Sequence, residues 1–231
     1  MSGDLRSIRP DQDGPPVKDW VAWHHGYDDP SSSLSARLER VKLHLGQAIE
    51  RAPAGRIQLV SLCAGQGHDV LGVLPDHRRQ ADVSALLVEA NAANAALARR
   101  RAAAARLAQV VVREADASMV ASFADVLPAD VLLLAGIFGN VSDTDIKRTA
   151  DAAALLCADA ATVIWTRHRR APDVTVQIRA WFAENGFEEV AFDALDTEYL
   201  TGVGVHRLAR TPDRSAAYPR YPLFRFGSTH R

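Results

Sequence analysis

Four short clusters in this chain have residue types and spacing suited to chemistry. Gly65-Gln66-Gly67 interrupts the apolar run of Ile57, Leu59, Val60 and Leu62 and leads into a helical pattern. Without a Cβ, glycines there let the backbone come close to a ligand. Glu89 ends a second apolar segment, 22 residues beyond Gly67. A carboxylate at the tip of a second strand can accept hydrogen bonds from both hydroxyls of a ribose, so the pair points to a bound nucleoside. Trp165-Thr166-Arg167-His168-Arg169 places an imidazole among guanidiniums. His168 can take a proton from a hydroxyl or amine, or simply sit in a solvated basic loop. Arg167 and its neighbours can pair with a carboxylate. The fourth cluster, Trp23-His24-His25-Gly26-Tyr27-Asp28, offers His25 and Tyr27 to close over a pocket, or to serve as packing and turn residues.

These residues need elements to hold them, and the hydrophobic pattern supplies an alternation of strands and helices. Strands are expected at 57–62, 83–88, 109–113, 131–137 and 162–166, and helices at 69–74, 91–108, 118–126, 143–157 and 173–185. Such alternation implies parallel strands joined by right-handed crossovers, with helices on both faces and ligands above the carboxyl ends of the strands. After Gly186 the pattern changes to two strands, 187–192 and 202–208, with no helix between them, which suits an antiparallel hairpin at one edge. Ahead of the first strand, Ser31 to Ser33 offer N-caps for a helix whose apolar face is Leu34, Leu38, Val41, Leu45 and Ala48. The expected organisation is an arm and lid helix over 1–54, a core over 55–210 and a tail over 211–231.

Gly65-Gln66-Gly67, Glu89 and Asp116-Ala117 resemble motifs I, II and III of the class I S-adenosylmethionine-dependent methyltransferases, of bacterial small-molecule type. The resemblance covers roughly residues 55 to 208 and departs from the family twice: Ser61 stands for the usual acid and Cys63 for the first glycine. It implies a Rossmann-like, doubly wound α/β fold with a seven-stranded sheet whose last strand enters antiparallel between the fifth and sixth. It implies S-adenosyl-L-methionine as cofactor, with S-adenosyl-L-homocysteine as product. Cys63, Ala64, Gly65, Gln66 and Gly67 would form the turn beside the amino-acid part. Asp69 is a candidate for the methionine ammonium, and Glu89 with Ala90 for the ribose. Asp116 would accept from the adenine amino group and Ala117 donate to a ring nitrogen, although Asp116 also reads as a helix N-cap. The segment Ala135 to Asn140 would line the space between cofactor and acceptor, with Gly136 on the cofactor side, Phe138 and Asn140, like Arg167, on the acceptor side, and Ile137 a further pocket candidate. His168, His25 and Tyr27 are the catalytic candidates. No Asp ends the fourth strand and no Asp-Asn ends the fifth, so the Mg²⁺-binding set of catechol-type enzymes is not visible, and metal-independent transfer is expected.

The rival is an NAD(P)-dependent oxidoreductase using the same glycines and Glu89. Val70 stands where that fingerprint needs a small residue, and no Tyr-x-x-x-Lys pair occurs. A nucleoside-binding regulatory protein without turnover is a third reading, kept open by Ser61 and Cys63. At 231 residues, 48% hydrophobic, the chain can bury the core of one large domain. A formal charge of −1 and the lack of an Asn/Asp-Pro-Pro-Tyr/Phe signature argue against nucleic acid as substrate. Two cysteines are too few for a disulfide scaffold, and no signal-peptide pattern or apolar span near 20 residues is present. The expectation is a cytoplasmic protein, monomer or homodimer, acting on a small molecule away from membranes.

Overall fold

The computed structural model describes residues 24–198 and 200–226, with the side chains of His24 and His25 left outside that description. Seven strands form one sheet: β1 (Ile57–Leu62), β2 (Val83–Glu89), β3 (Val110–Glu114), β4 (Ala129–Leu134), β5 (Cys157–His168), β6 (Phe187–Leu195) and β7 (Thr201–Leu208). Their order is β3-β2-β1-β4-β5-β7-β6. The first five pair in parallel, and β7 is antiparallel to both β5 and β6. Among the described residues there are five α-helices, α1 (Ser33–Arg51), α2 (Val70–Val73), α3 (Ala92–Ala104), α4 (Asp143–Leu156) and α5 (Thr175–Glu184).

β1, β2 and β4 form the hydrophobic centre, because strands covered on both faces must be apolar throughout. Leu59, Val60, Leu87, Val131, Leu132 and Leu133 are all fully buried. One face packs against Val41, Leu45 and Ile49 of α1 and Val70 and Leu71 of α2. The other packs against Ile146 and Ala150 of α4, Ile178 and Phe182 of α5, and Leu223 and Phe224 of the tail. At 25 cal/mol per Å² a fully buried leucine contributes about 2 kcal/mol, so these two layers carry most of the stabilisation. Among the described residues, no helix is long and apolar enough to cross a membrane.

Several element bounds differ from the hydrophobic pattern's expectation: the helix expected over 91–108 ends at Ala104 and the strand expected over 187–192 runs to Leu195, and three further differences have a local cause. The helix expected over 118–126 is two 3-10 turns, Val120–Ser122 and Ala124–Val126, separated by Phe123 at φ −146°, which breaks the helical path. β4 stops at Leu134 because Gly136, at φ +77°, turns the chain and drops Ile137 and Phe138 back into the core. β5 begins at Cys157, directly after α4, and its pairing with β4 shifts register between Ala129 and Val131, a bulge that absorbs the extra length.

Helix entry is legible in the caps. Ser32 Oγ accepts from Ser35 N, Asn91 Oδ1 from Asn94 N and Ser142 Oγ from Asp145 N, each satisfying a first-turn amide. The tail runs back over the body. Leu223 N donates to Ser118 O at 2.9 Å, Thr149 Oγ1 donates to Leu223 O at 3.2 Å and Arg225 N donates to Asp145 Oδ2 at 3.1 Å.

Candidate active site

β1 lies between β2 and β4, and chain order reverses direction there, so a crevice opens above the carboxyl ends of these strands. A cavity of about 290 Å³ occupies it, at the lower end of the range for small-molecule sites. Cys63, Ala64 and Gly65 from the β1 turn, Asp69, Glu89 and Ala90, and Gly136 after β4 all line it. The structure therefore brings these seven sequence-derived candidates together.

Glu89 fixes the cavity floor. Its side chain is buried, Oε2 accepts from Gly65 N at 2.8 Å and Oε1 from Asn91 N at 2.8 Å. One carboxylate thus ties the turn after β1 to the start of α3. Each oxygen retains a lone pair for a hydroxyl donor. Gly65 is at φ +56°, and Cys63, not a glycine, is at φ +52°. Burial, with the charges of Glu89 and Asp116 adding to it, pushes the Cys63 thiol far up, so it stays protonated. Burial also pushes the Asp69 carboxyl up, while Oδ1 accepts from Val70 N at 2.7 Å.

Other candidates sit behind this wall. Gln66 is buried and its Nε2 donates to Asn94 Oδ1 at 3.2 Å. Gly67 faces the core: a Cβ there would lie 2.8 Å from Leu71 Cδ1 and 2.9 Å from Leu87 Cδ2. Its glycine therefore serves packing and the turn's φ of +71°, and the space it keeps clear is not the cavity. Asp116 is exposed and its Oδ1 accepts from Ser118 N at 2.9 Å, while Ala117 is buried among core side chains; neither lines the cavity.

A second cavity, of about 310 Å³, shares Arg37 and Gly136 with the first. Asn140, Arg167 and His168 line it. Asn140 Nδ2 donates to Gly136 O at 2.7 Å and Thr166 Oγ1 accepts from Gly136 N at 2.8 Å, so β5 positions the turn between the two spaces. Phe138 does not join them, because its ring is fully buried against Trp165 and only its carbonyl reaches Arg167. Tyr27 lines the first cavity instead of the second. Its hydroxyl accepts from Arg37 Nη2 at 2.6 Å, its ring meets His68 at 4.7 Å, and burial pushes its pKa up. The side chain of His25 lies outside the described residues.

Sequence reasoning missed several wall residues. Arg37 follows Leu34 and precedes Leu38, the i, i+3, i+4 spacing of one helix face, so its place was available from the pattern. Asn94 and His68 had only position to recommend them. Phe226 had no local signal: it reaches the first cavity from the tail, 42% exposed. Arg101 of α3 donates to His68 Nε2 at 2.6 Å.

No protein-family model matches the chain, and no curated protein matches it in sequence. Solved structures do match in fold. An O-methyltransferase family protein from Burkholderia thailandensis superposes with a TM-score of 0.62 at 16% identity, over 83% of this chain and 60% of its own. An O-methyltransferase family 2 protein from Planctomyces limnophilus, in complex with apigenin, gives 0.53 at 14% identity over 74% and 61%. An RNA methyltransferase from Salinibacter ruber, in complex with S-adenosyl-L-homocysteine, gives 0.52 at 16% identity over 77% and 94%. The chain thus spans about three-fifths of the first two neighbours' length. At these identities the likeness is one of fold alone, the fold that this chain shares with these three methyltransferases.

Proposed function

We propose that this chain transfers a methyl group from S-adenosylmethionine to a small-molecule acceptor. The observation that carries the reading is Glu89, bonded to the Gly65 amide on the floor of a cavity at the sheet's switch point, with a second cavity adjoining through Gly136 and Arg37. The residues fit such a cofactor. Glu89 offers acceptor oxygens for ribose hydroxyls, Asp69 offers a carboxylate for the ammonium, and a Cβ on Gly136 would meet nothing within 4 Å. The sheet order with antiparallel β7 also departs from the 3-2-1-4-5-6 order of dinucleotide-binding domains, which disfavours the NAD(P) reading.

Bound S-adenosylmethionine supplies a sulfonium methyl whose carbon-sulfur bond breaks as the acceptor's lone pair forms the new bond, leaving the electron pair on sulfur. The chain's own work is then to align and to enclose. Glu89 and Gly65 fix the nucleoside end, Gly136 holds the boundary open, and Tyr27 with Arg37 forms part of the wall. His168 accepts the proton that a hydroxyl or amine acceptor must lose. No metal enters this reading, since the segment Ala135 to Asn140 that follows β4 carries no carboxylate. The cytoplasm is the compartment we assign, with the protein working as a monomer or homodimer.

Calorimetry with S-adenosylhomocysteine tests the cofactor, and Glu89→Gln is expected to weaken binding by about 1 to 3 kcal/mol. Absence of binding by the folded wild type, or binding of NADH in its place, would overturn the assignment. For the base, His168→Asn should leave S-adenosylhomocysteine affinity unchanged and slow single-turnover methyl transfer by about 10² to 10⁴. A wild-type rate and pH profile would remove His168 from the chemistry. Bound cofactor with no turnover across acceptors would leave a binding-only protein, the outcome that Cys63 in a glycine's place would favour.

A further inference from the structure

The wall of the second cavity is strongly cationic. Among the described residues it includes the guanidiniums of Arg37, Arg167 and Arg170 and no carboxylate. Arg167 is built into it, with a side chain 9% exposed. Its Nη1 donates to Phe138 O, and its Nε, buried, has no hydrogen-bond partner among the described residues. Asp143 Oδ1 stands 3.9 Å from Nη2, beyond hydrogen-bond range and on an exposed side chain. Burial draws the Arg167 pKa down, against the charges of Asp143 and Asp173, yet a guanidinium keeps its proton at physiological pH. A buried cation with an unused donor is costly unless something pairs with it. Ser33 and Leu34, the first turn of the 19-residue α1, face the same space and add the positive end of a helix dipole.

We propose that the acceptor carries an oxyanion, a carboxylate or a phosphate monoester, which Arg167 and Arg170 hold in the second cavity with the rest of the molecule directed toward Gly136. The proposal rests on the methyl-transfer reading of the first cavity. A guanidinium donates two parallel hydrogen bonds to either oxyanion, which would fix orientation as well as affinity. Arg37, common to both cavity walls and anchored on the Tyr27 hydroxyl, would then sense both ligands.

The test is calorimetry at fixed ionic strength with two matched pairs of probes, benzoate against benzamide and phenyl phosphate against phenol, on full-length protein with and without saturating S-adenosylhomocysteine. At least one anion is expected to bind tenfold or more tightly than its neutral partner, and the pair that discriminates identifies the oxyanion. Arg170→Gln, on an exposed residue that folding should tolerate, is expected to reduce that preference at least fivefold, and Arg167→Lys to do so with a melting curve as the folding check. Equal binding of anion and neutral partner, or binding of neither, in protein that still binds S-adenosylhomocysteine would overturn the anion pocket and leave methyl transfer standing. An anion preference in protein that does not bind S-adenosylhomocysteine would uphold the pocket and overturn the methyl-transfer reading.

Discussion

Cys63 and Gly67 sit in one turn under different constraints. Cys63 holds φ +52°, a conformation that costs a residue with a Cβ about 1 to 2 kcal/mol, and it presents to the cavity a thiol that burial keeps protonated. It therefore acts as a small wall residue and not as a nucleophile, since only the thiolate attacks. Gly67 keeps its Cα toward Leu71 and Leu87. Gly67→Ala should accordingly destabilise the fold by about 1 to 3 kcal/mol, with S-adenosylhomocysteine affinity nearly unchanged under conditions where the variant is folded. Urea denaturation and calorimetry measure the two effects separately. Unchanged stability with lost affinity would mean that the glycine faces the ligand after all. The glycines and Glu89 were legible in the sequence because their types and spacing are set by the turn and the strand tip. Which side of the turn Gly67 faces was not, because that depends on Leu87 from a neighbouring strand.

At the scale of elements, α1 is held at both ends. Its first two turns border the cavities, Ser33 and Leu34 the second, Leu38 the first and Arg37 both, and its C-terminus is closed by a side chain from a different segment: Arg79 Nη1 donates to Ile49 O at 2.8 Å and Ala52 O at 2.7 Å, and Nη2 to Pro53 O at 2.8 Å. The last carbonyls of a helix lack intrahelical partners, and here one guanidinium, 14% exposed, satisfies several while also pairing with Asp82. Arg79→Ala should cost about 2 to 3 kcal/mol, lowering Tm by roughly 5 to 10 °C in a chain of this size. Arg79→Lys should recover only part, because an ammonium cannot span the same fork. A melting point within about 1 °C of wild type would show that water replaces these contacts without loss. The strands were largely legible because branched apolar runs lie between Gly, Pro and Asp punctuation. The 3-10 turns around Phe123, the early start of β5 and the Arg79 closure were not, since each is decided by a bulge, a backbone angle or a partner distant in sequence.

Across the whole molecule, the antiparallel insertion of β7 places His206 at its centre. The residue is 1% exposed, in register with Val163 of β5 and Glu189 of β6, and its ring stacks on Phe182 at 4.8 Å and Trp165 at 6.0 Å. Neither ring nitrogen has a hydrogen-bond partner among the described residues. Burial lowers its pKa from 6.5 to about 4, with Glu189 opposing and Arg179 reinforcing the shift. Because the folded value lies below the unfolded one, the unfolded chain takes up the proton first as pH falls. The contribution of neutral His206 is therefore complete above the unfolded pKa and declines between about pH 6.5 and pH 4, by on the order of 3 kcal/mol in total and about 2 kcal/mol by pH 5. His206→Phe keeps an aromatic ring in the stack and removes both the proton site and the unpaired nitrogens. Urea denaturation at pH 7.5 and pH 5.0 is expected to show the variant losing about 2 kcal/mol less than wild type over that interval, the carboxylates common to both cancelling in the difference. At pH 7.5 the variant should be at least as stable, since no buried nitrogen is left without a partner. An identical pH dependence in the two proteins would show that the folded ring is protonated as readily as the unfolded one, and would place an acceptor or water beside it.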